Sequence, residues 1–137
     1  MPNRDVHVKV GVGSAICATV ATAIVLDEKL TCEEMLLRVL GASIGGYMGA
    51  RVPDIIDPSS RGPNHRSIGH GVVSNGTLYA FGKDKFLDTR KKLSNETEQR
   101  KRLFNQFIVG AMEGFVTGHA SHLVLDSRTP KGLPLVV

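Results

Sequence analysis

Long apolar stretches alternate with polar, turn-forming segments along the chain, and the pattern predicts helices. Residues 8–26 are almost uncharged and end at Asp27-Glu28-Lys29. At about 1.5 Å per residue, this first helix is just long enough to cross a thin bilayer. Its many small residues suit a tightly packed core helix equally well. Thr31-x-x-Glu34 forms a capping box that starts a second helix over residues 32–51, and Pro53 is expected to end it.

The second half of the chain predicts two more helices. Residues 53–66 are rich in Pro, Ser and Gly and carry several charges, which is typical of a connecting loop with a function. A third helix is predicted over about 67–81, then a polar stretch with a new helix cap at Ser94 or Asn95. The last helix covers about 97–126. Strand signals are poor, so the fold class is all-α: one domain over residues 1–137, built as a bundle of about four helices.

Composition supports one compact helical domain. The 137 residues are 42% hydrophobic, which excludes disorder over most of the length. Aromatic residues make up only 5% while Gly reaches 15 residues, which favours helices packed closely through small side chains. Cys17 and Cys32 do not form a CxxC pair, so neither a disulfide framework nor a cysteine zinc knuckle is expected, and no cleavable signal peptide is evident.

The net charge of +4 comes from one segment, residues 83–102, which holds eight basic and four acidic residues. Its simplest interpretation is a solvated loop and helix start. The alternative is a patch that faces phosphate groups, on nucleic acid or on anionic lipid. The segment has no series of interleaved aromatic side chains, which makes nucleic acid the weaker partner hypothesis.

His119, His122 and Asp126 point to metal chemistry because they share one face of the last helix. Their spacing of i, i+3, i+7 places them within about 60° of one another on a helical wheel. Two imidazoles and a carboxylate can meet one divalent cation, and zinc accepts both ligand types. The alternative is that these histidines are ordinary buried core residues.

Two further groups of residues lie around the predicted loop. Asp54 and Asp57 flank Ile55-Ile56 directly after Pro53, which is also the pattern of an ordinary capped turn. His65 and His70 can converge only if the first lies in the loop and the second in the next helical turn. Arg66 beside them is a fixed cation suited to phosphate or carboxylate.

Taken together, these motifs resemble the YdjM family of LexA-regulated, inner-membrane-associated metal-dependent hydrolases. The similarity covers about residues 5–137, with a shortened middle. A family stretch Leu-Pro-Asp-Ile-Asp-His-Pro resembles residues 52–58, and a His-Arg-Gly-x-Thr-His-Ser element resembles residues 65–71. The longest motif, Gly-Tyr-x-Ser-His-x-x-x-Asp-x-x-Thr-Pro-x-Gly-x-Pro, resembles residues 118–134.

The resemblance implies a set of metal ligands: His7, Asp54, His65, His70, His122 and Asp126. Asp57, Arg66 and His119 would take supporting or catalytic roles. The chain departs from the family at Ile56, where an aspartate is usual, and at Asp57 and His119, where His and Tyr are usual. A weaker similarity, in the His122-x-x-x-Asp126 spacing, is to the zinc-dependent phospholipase C and single-strand nuclease superfamily.

The leading hypothesis is therefore a metal-dependent hydrolase of a phosphoester, of phospholipid or nucleotide type, with a His/Asp-bound divalent ion, expected to be zinc. The alternative is a non-enzymatic helical membrane-associated or assembly protein with a structural or degenerate metal site. By the resemblance the protein is associated with the bacterial inner membrane. Lys9 and Glu113 interrupt the apolar stretches, which keeps a cytoplasmic location open.

Overall fold

The computed structural model describes residues 4–26, 28–56 and 72–128, and these residues confirm the all-α class. They form four helices in the described part of the chain: α1 (Arg4–Val25), α2 (Cys32–Ile56), α3 (Val72–Asn95) and α4 (Gln99–Ser127). The predicted loop over residues 53–66 lies largely outside the described residues.

The start of α2 confirms the capping box. The Thr31 backbone N–H donates to the Glu34 carboxylate at 2.8 Å, and the Glu34 backbone N–H donates to the Thr31 hydroxyl at 3.2 Å. The predicted end of this helix is wrong, because α2 continues through Pro53 to Ile56. Pro53 has no N–H for the carbonyl of Gly49, but its ring is buried and the last turn still forms.

The prediction for the polar segment is also wrong in part. Residues 83–95 belong to α3 and are not a loop. Lysine, arginine and leucine favour helix, and the Lys92 ammonium pairs with the Asp88 carboxylate one turn earlier at 2.8 Å. The expected cap at Ser94 or Asn95 is not used, since α4 begins after Glu98 without a side-chain cap. As expected, the polar residues of this segment are largely exposed.

Glycines on both α2 and α4 form the closest helix–helix contact of the bundle. A Cβ added at Gly41, Gly45 or Gly49 would overlap carbonyl oxygens of α4, and one added at Gly110, Gly114 or Gly118 would overlap carbonyl oxygens of α2. Residue numbers rise together along this contact, so the two helices run parallel. We call it the glycine seam. It agrees with the expectation from composition that the helices pack closely through small side chains.

Helix α1 packs antiparallel to α2, with Gly11 against Ala50 and Gly46 against Ala15. The apolar core between α1, α2 and α4 consists almost entirely of alanine and glycine, with Val109 its largest buried apolar side chain. Helix α3 touches the rest of the bundle far less than these three helices touch one another. The compact unit is therefore the trio α1, α2 and α4.

The distribution of polarity in this unit is unusual. Buried positions include eight polar or charged residues: His7, Thr19, Glu34, Arg38, Gln106, His119, His122 and Asp126. Large apolar side chains such as Leu36, Ile24 and Phe104 are instead well exposed. Within the described residues, α1 is long and apolar enough to cross a membrane, with a mean hydropathy of 1.8 and only 22% of that stretch buried.

Candidate metal centre

Three helix ends meet at one end of the bundle and bring four predicted ligands together. Because α1 runs antiparallel to α2 and α4, its first turns lie beside their last turns. His7 lies in the first turn of α1, Asp54 in the last turn of α2, and His122 and Asp126 in the last two turns of α4. We call these four residues the His–Asp cluster.

The side chains of the His–Asp cluster are within reach of one another. His122 Nε2 lies 3.5 Å from Asp126 Oδ2 and 3.7 Å from Asp54 Oδ1, and His7 Nε2 lies 3.6 Å from Asp126 Oδ1. One ligand atom each from His7, His122 and Asp126 fits within a span of 4.8 Å, and all three residues are buried. The Asp54 side chain is one-third exposed, at 34%, and gives the cluster its solvent-facing side.

These spacings are short enough for the side chains to share one metal ion. Ligand atoms about 2.1 Å from a tetrahedral zinc ion lie about 3.4 Å from one another. The three separations, from 3.5 to 3.7 Å, are close to that value and involve both oxygens of Asp126, while one ligand atom each from His7, His122 and Asp126 lies within 4.8 Å of the others. Imidazole nitrogens and carboxylate oxygens are also a donor set that divalent ions such as zinc accept. The residues present therefore fit a divalent metal.

The backbone of α2 fixes the orientation of the His122 ring. His122 Nδ1 lies 2.6 Å from the carbonyl oxygen of Ala50, so a proton on Nδ1 donates to that carbonyl and leaves the Nε2 lone pair facing Asp126 and Asp54. This is the arrangement that outer-shell partners give to metal-binding histidines. The contact requires the close approach of α2 and α4 that the glycine seam provides.

The two histidine rings of the cluster lie nearly face to face. Their centroids are 4.1 Å apart and their planes differ by 30°. Gly11 lies one turn after His7 on α1 and packs against Ala50. A Cβ added at Gly11 would come within 3.5 Å of the Ser121 hydroxyl oxygen. The same small-residue packing thus sets the position of His7 relative to α4.

The other predicted site residues divide into two groups. His119 is buried on α4, where its ring stacks against Phe115 at a centroid distance of 6.2 Å, and it is not a member of the group of three whose ligand atoms converge. Four of the predicted site residues lie outside the described residues: Asp57, His65, Arg66 and His70. Their roles stay predictions.

A second buried polar group lies at the opposite end of the bundle, where the sequence analysis singled out no site. The Arg38 guanidinium, fully buried, donates to the carboxylates of Glu28 and Glu113, with 2.7 Å between Arg38 and Glu113. Arg90 of α3 donates to Glu28 and lies 3.6 Å from Glu113. We call these four residues the ionic cluster. A lone arginine within the apolar stretch of α2 was the sequence signal that could have revealed it.

Comparisons with known proteins leave the family open. No protein-family model, no curated protein and no solved structure matches this chain. The resemblance to the YdjM family therefore depends on its motifs, and the His–Asp cluster is the part of those motifs whose geometry is visible in the structure.

Proposed function

We propose that this protein is a metal-dependent hydrolase of a phosphoester. The observation that carries the proposal is the convergence of two imidazoles and two carboxylates, from three helices, at spacings that suit one divalent ion. Three of these groups are buried, which costs several kcal/mol unless a partner compensates, and one cation could serve His7, His122 and Asp126 together.

In the proposed site, each residue of the His–Asp cluster has a distinct position. His7 and His122 supply nitrogen ligands, and Asp126 lies between them within reach of both. Asp54 is the member open to solvent, which suits it to a water molecule or a substrate. When bound, a zinc ion would supply Lewis-acid chemistry, acidifying a water molecule and polarising a phosphoryl oxygen.

The remaining roles follow from the YdjM resemblance. His65 and His70 would complete the ligand set, and Arg66 would neutralise charge that develops on the phosphate. Asp57 and His119 would support the ligands or act as proton carriers. The same resemblance places the protein at the bacterial inner membrane, and α1 is the helix suited to anchor it there.

The test is a hydrolysis assay on chelator-stripped and zinc-restored protein. Bis(p-nitrophenyl) phosphate and p-nitrophenyl phosphate are suitable probes for phosphodiesters and phosphomonoesters. We expect turnover that requires zinc and that falls by at least about a hundredfold in Asp126→Asn, which weakens a shared ligand. Asp88→Asn, an exposed aspartate on α3, is the matched control and should keep full activity.

A specific observation supports one alternative, a structural metal site in a non-enzymatic protein. Three of the four residues in the His–Asp cluster are buried, and structural metal sites are closed whereas catalytic sites keep an open position. Stoichiometric metal without turnover on either probe would contradict the hydrolase proposal and favour this alternative. Absence of bound metal would contradict both.

A further inference from the structure

Arg51 on α2 is a half-buried arginine without a carboxylate partner among the described residues. The other arginines that are buried or half-buried in this part of the chain, Arg38, Arg90 and Arg102, each pair with a glutamate. The Arg51 guanidinium instead donates from Nη1 to the hydroxyl of Tyr47, one turn earlier on the same helix. Arg51 is therefore a fixed positive charge whose counter-ion the described residues do not supply.

The unused edge of the Arg51 guanidinium is suited to an anion. Because Nη1 is engaged by Tyr47, the adjacent donors on Nε and Nη2 remain. Nε is buried, and no acceptor among the described residues lies within hydrogen-bond distance of it. A buried N–H without an acceptor is costly, and neighbouring guanidinium N–H groups form the fork that binds two oxygens of one carboxylate or phosphate. An anion with two such oxygens would satisfy this edge.

Arg51 lies beside the solvent-facing side of the His–Asp cluster. Tyr47, Arg51 and Asp54 follow an i, i+4, i+7 spacing, which places them within about 60° of one another on one face of α2. Side chains three residues apart on a helix begin about 5–6 Å from each other. The Asp54 carboxylate lies 3.7 Å from His122 Nε2, and the Arg51 guanidinium contacts Tyr47 instead of Asp54. A ligand at the open side of the cluster therefore lies within reach of Arg51.

Tyr47 orients the guanidinium and adds a further donor. The Arg51 Cζ atom lies 5.2 Å from the centre of the Tyr47 ring, which is a cation–π distance. The Tyr47 oxygen accepts the bond from Arg51, so its own O–H proton can be donated to another group. Tyr47 is 43% exposed, which leaves that proton open to a ligand. An incoming anion meets a guanidinium that is already held in place, which reduces the entropy lost on binding.

We infer that Arg51 and Tyr47 form the phosphate-holding part of the candidate site, and that its substrate is a phosphomonoester. The inference rests on the proposed function, because one oxygen of the same phosphate is left for the metal of the His–Asp cluster. The Nε–Nη2 fork of Arg51 takes two oxygens. A phosphomonoester has three non-bridging oxygens, enough for the fork and the metal together, whereas a phosphodiester has two.

The charges at this end of the bundle agree with a phosphomonoester. A divalent ion would offset the carboxylates of Asp54 and Asp126, and the charge of Arg51 is then left over. A phosphomonoester carries close to two negative charges near pH 7, since its second pKa is about 6. This role is separate from the YdjM resemblance, whose motifs begin at residue 52 and assign phosphate charge to Arg66, which lies outside the described residues.

Binding of inorganic phosphate to the zinc-restored full-length protein tests the inference without any turnover. Isothermal titration calorimetry gives the phosphate dissociation constant of the parent and of each variant. We expect phosphate to bind at least about tenfold more weakly to Arg51→Met and about threefold more weakly to Tyr47→Phe, in line with the loss of a charged and of a neutral hydrogen bond. Arg100→Met removes an exposed arginine at the start of α4 and is the matched control, with phosphate affinity equal to that of the parent. Zinc content should be the same in all four proteins.

Kinetics on two substrates test the substrate class. For Arg51→Met we expect the KM for p-nitrophenyl phosphate to rise at least about tenfold, and the KM for bis(p-nitrophenyl) phosphate to rise less, because the diester leaves one arm of the fork unused. Arg51→Lys keeps the charge without the fork, so it should also lower the preference for the monoester. This second variant keeps the test decisive if Arg51→Met does not fold.

Equal phosphate affinity in the parent and in Arg51→Met, both with bound zinc, would overturn the inference. KM increases of the same size on the two substrates would overturn the assignment of a phosphomonoester. Neither result affects the proposed function, which fails if bound zinc supports no turnover. Phosphate binding that depends on Arg51 in a protein without turnover would support the phosphate-holding role and contradict the hydrolase proposal.

Discussion

The two ends of the bundle bury polar groups in different ways. At the ionic cluster, the carboxylates of Glu28 and Glu113 meet the guanidinium groups of Arg38 and Arg90, which carry positive charge at every physiological pH. At the His–Asp cluster, the described pairs join carboxylates to imidazole rings, which carry a charge only when protonated.

This difference suggests a structural role for the ionic cluster and a chemical role for the His–Asp cluster. The ionic cluster contains two carboxylates and two guanidinium groups, so it is balanced by its own residues and has a structural role. The His–Asp cluster contains two carboxylates and two imidazoles. Burial opposes protonation of His122, but the hydrogen bond to Asp126 and the charge of Asp54 raise its pKa, so a bound proton or a divalent cation can supply positive charge at this end. The comparison therefore marks the His–Asp end as the one that could hold a metal and gives the ionic end a role in helix attachment.

Arg38→Met is expected to have the largest effect on stability. It would remove the fully buried partner of the Glu113 carboxylate and leave Arg90 as the remaining cation near Glu113 and Glu28, which costs about 3 kcal/mol of unfolding free energy. Thermal unfolding of the purified protein would measure the loss. Arg102→Met is the control. Arg102 pairs with Glu34 but its side chain is 40% exposed, so this variant should lose much less unfolding free energy. An Arg38→Met variant as stable as the parent would refute the structural role of this end.

His122→Ala tests the opposite end. The substitution removes a proposed ligand, so addition of zinc should no longer raise the unfolding temperature of the protein. For the parent, zinc at a hundred times its dissociation constant should add about 2.7 kcal/mol of stability. Unfolding scans with and without zinc measure this difference. His119→Ala, one turn away on the same helix, should keep most of the zinc effect, and a parent protein that zinc does not stabilise would contradict the assignment.

Gly45→Ala is expected to disturb both ends, because the glycine seam connects them. Its new Cβ would overlap the Ala111 carbonyl, and moving the helices apart should cost about 1–3 kcal/mol. The shift should also lengthen the contact between His122 and Ala50 and weaken zinc binding. Gly13→Ala is the matched control, since nothing lies within 4 Å of its added Cβ, and it should be neutral or stabilise α1 by up to about 1 kcal/mol. Equal stability of the two variants would show that the seam is not tightly packed.

Thr31→Ala should have the smallest effect on stability of these variants. The effect should be limited to the end of the bundle that holds the ionic cluster. The substitution removes the hydroxyl that caps α2, at a cost of about 1 kcal/mol, and leaves zinc binding unchanged. Unfolding scans with and without zinc report both quantities. A Thr31→Ala variant with altered zinc affinity would show that the two ends are coupled.

Local signals in the sequence predicted most of the secondary structure. The capping box at Thr31 and Glu34 is a short-range pattern, and the structure reproduces it. The errors arose at positions where a local preference competes with packing or solvation of similar free energy. A proline usually ends a helix, but burial of Pro53 lets one more turn of α2 form, and the charged residues that indicated a loop at 83–95 form a solvated helix instead.

The candidate site was predictable only within one helix. The spacing of His122 and Asp126 places them on one face of α4 without any knowledge of the fold. Asp54 was a candidate from its position after Pro53 and His7 only from the family resemblance, and neither could be placed beside His122, because their approach depends on how three helices pack. The ionic cluster was missed for the same reason: Arg38 and Glu113 are 75 residues apart, and no local pattern connects them.

Elemental analysis of the purified protein, combined with anomalous X-ray scattering from its crystals, tests the central claim most directly. The account predicts one divalent metal ion, expected to be zinc, with His7 Nε2, His122 Nε2 and the carboxylates of Asp126 and Asp54 around it. A crystal grown with zinc that shows no anomalous peak among these four residues, or a peak bound only by other residues, would contradict it.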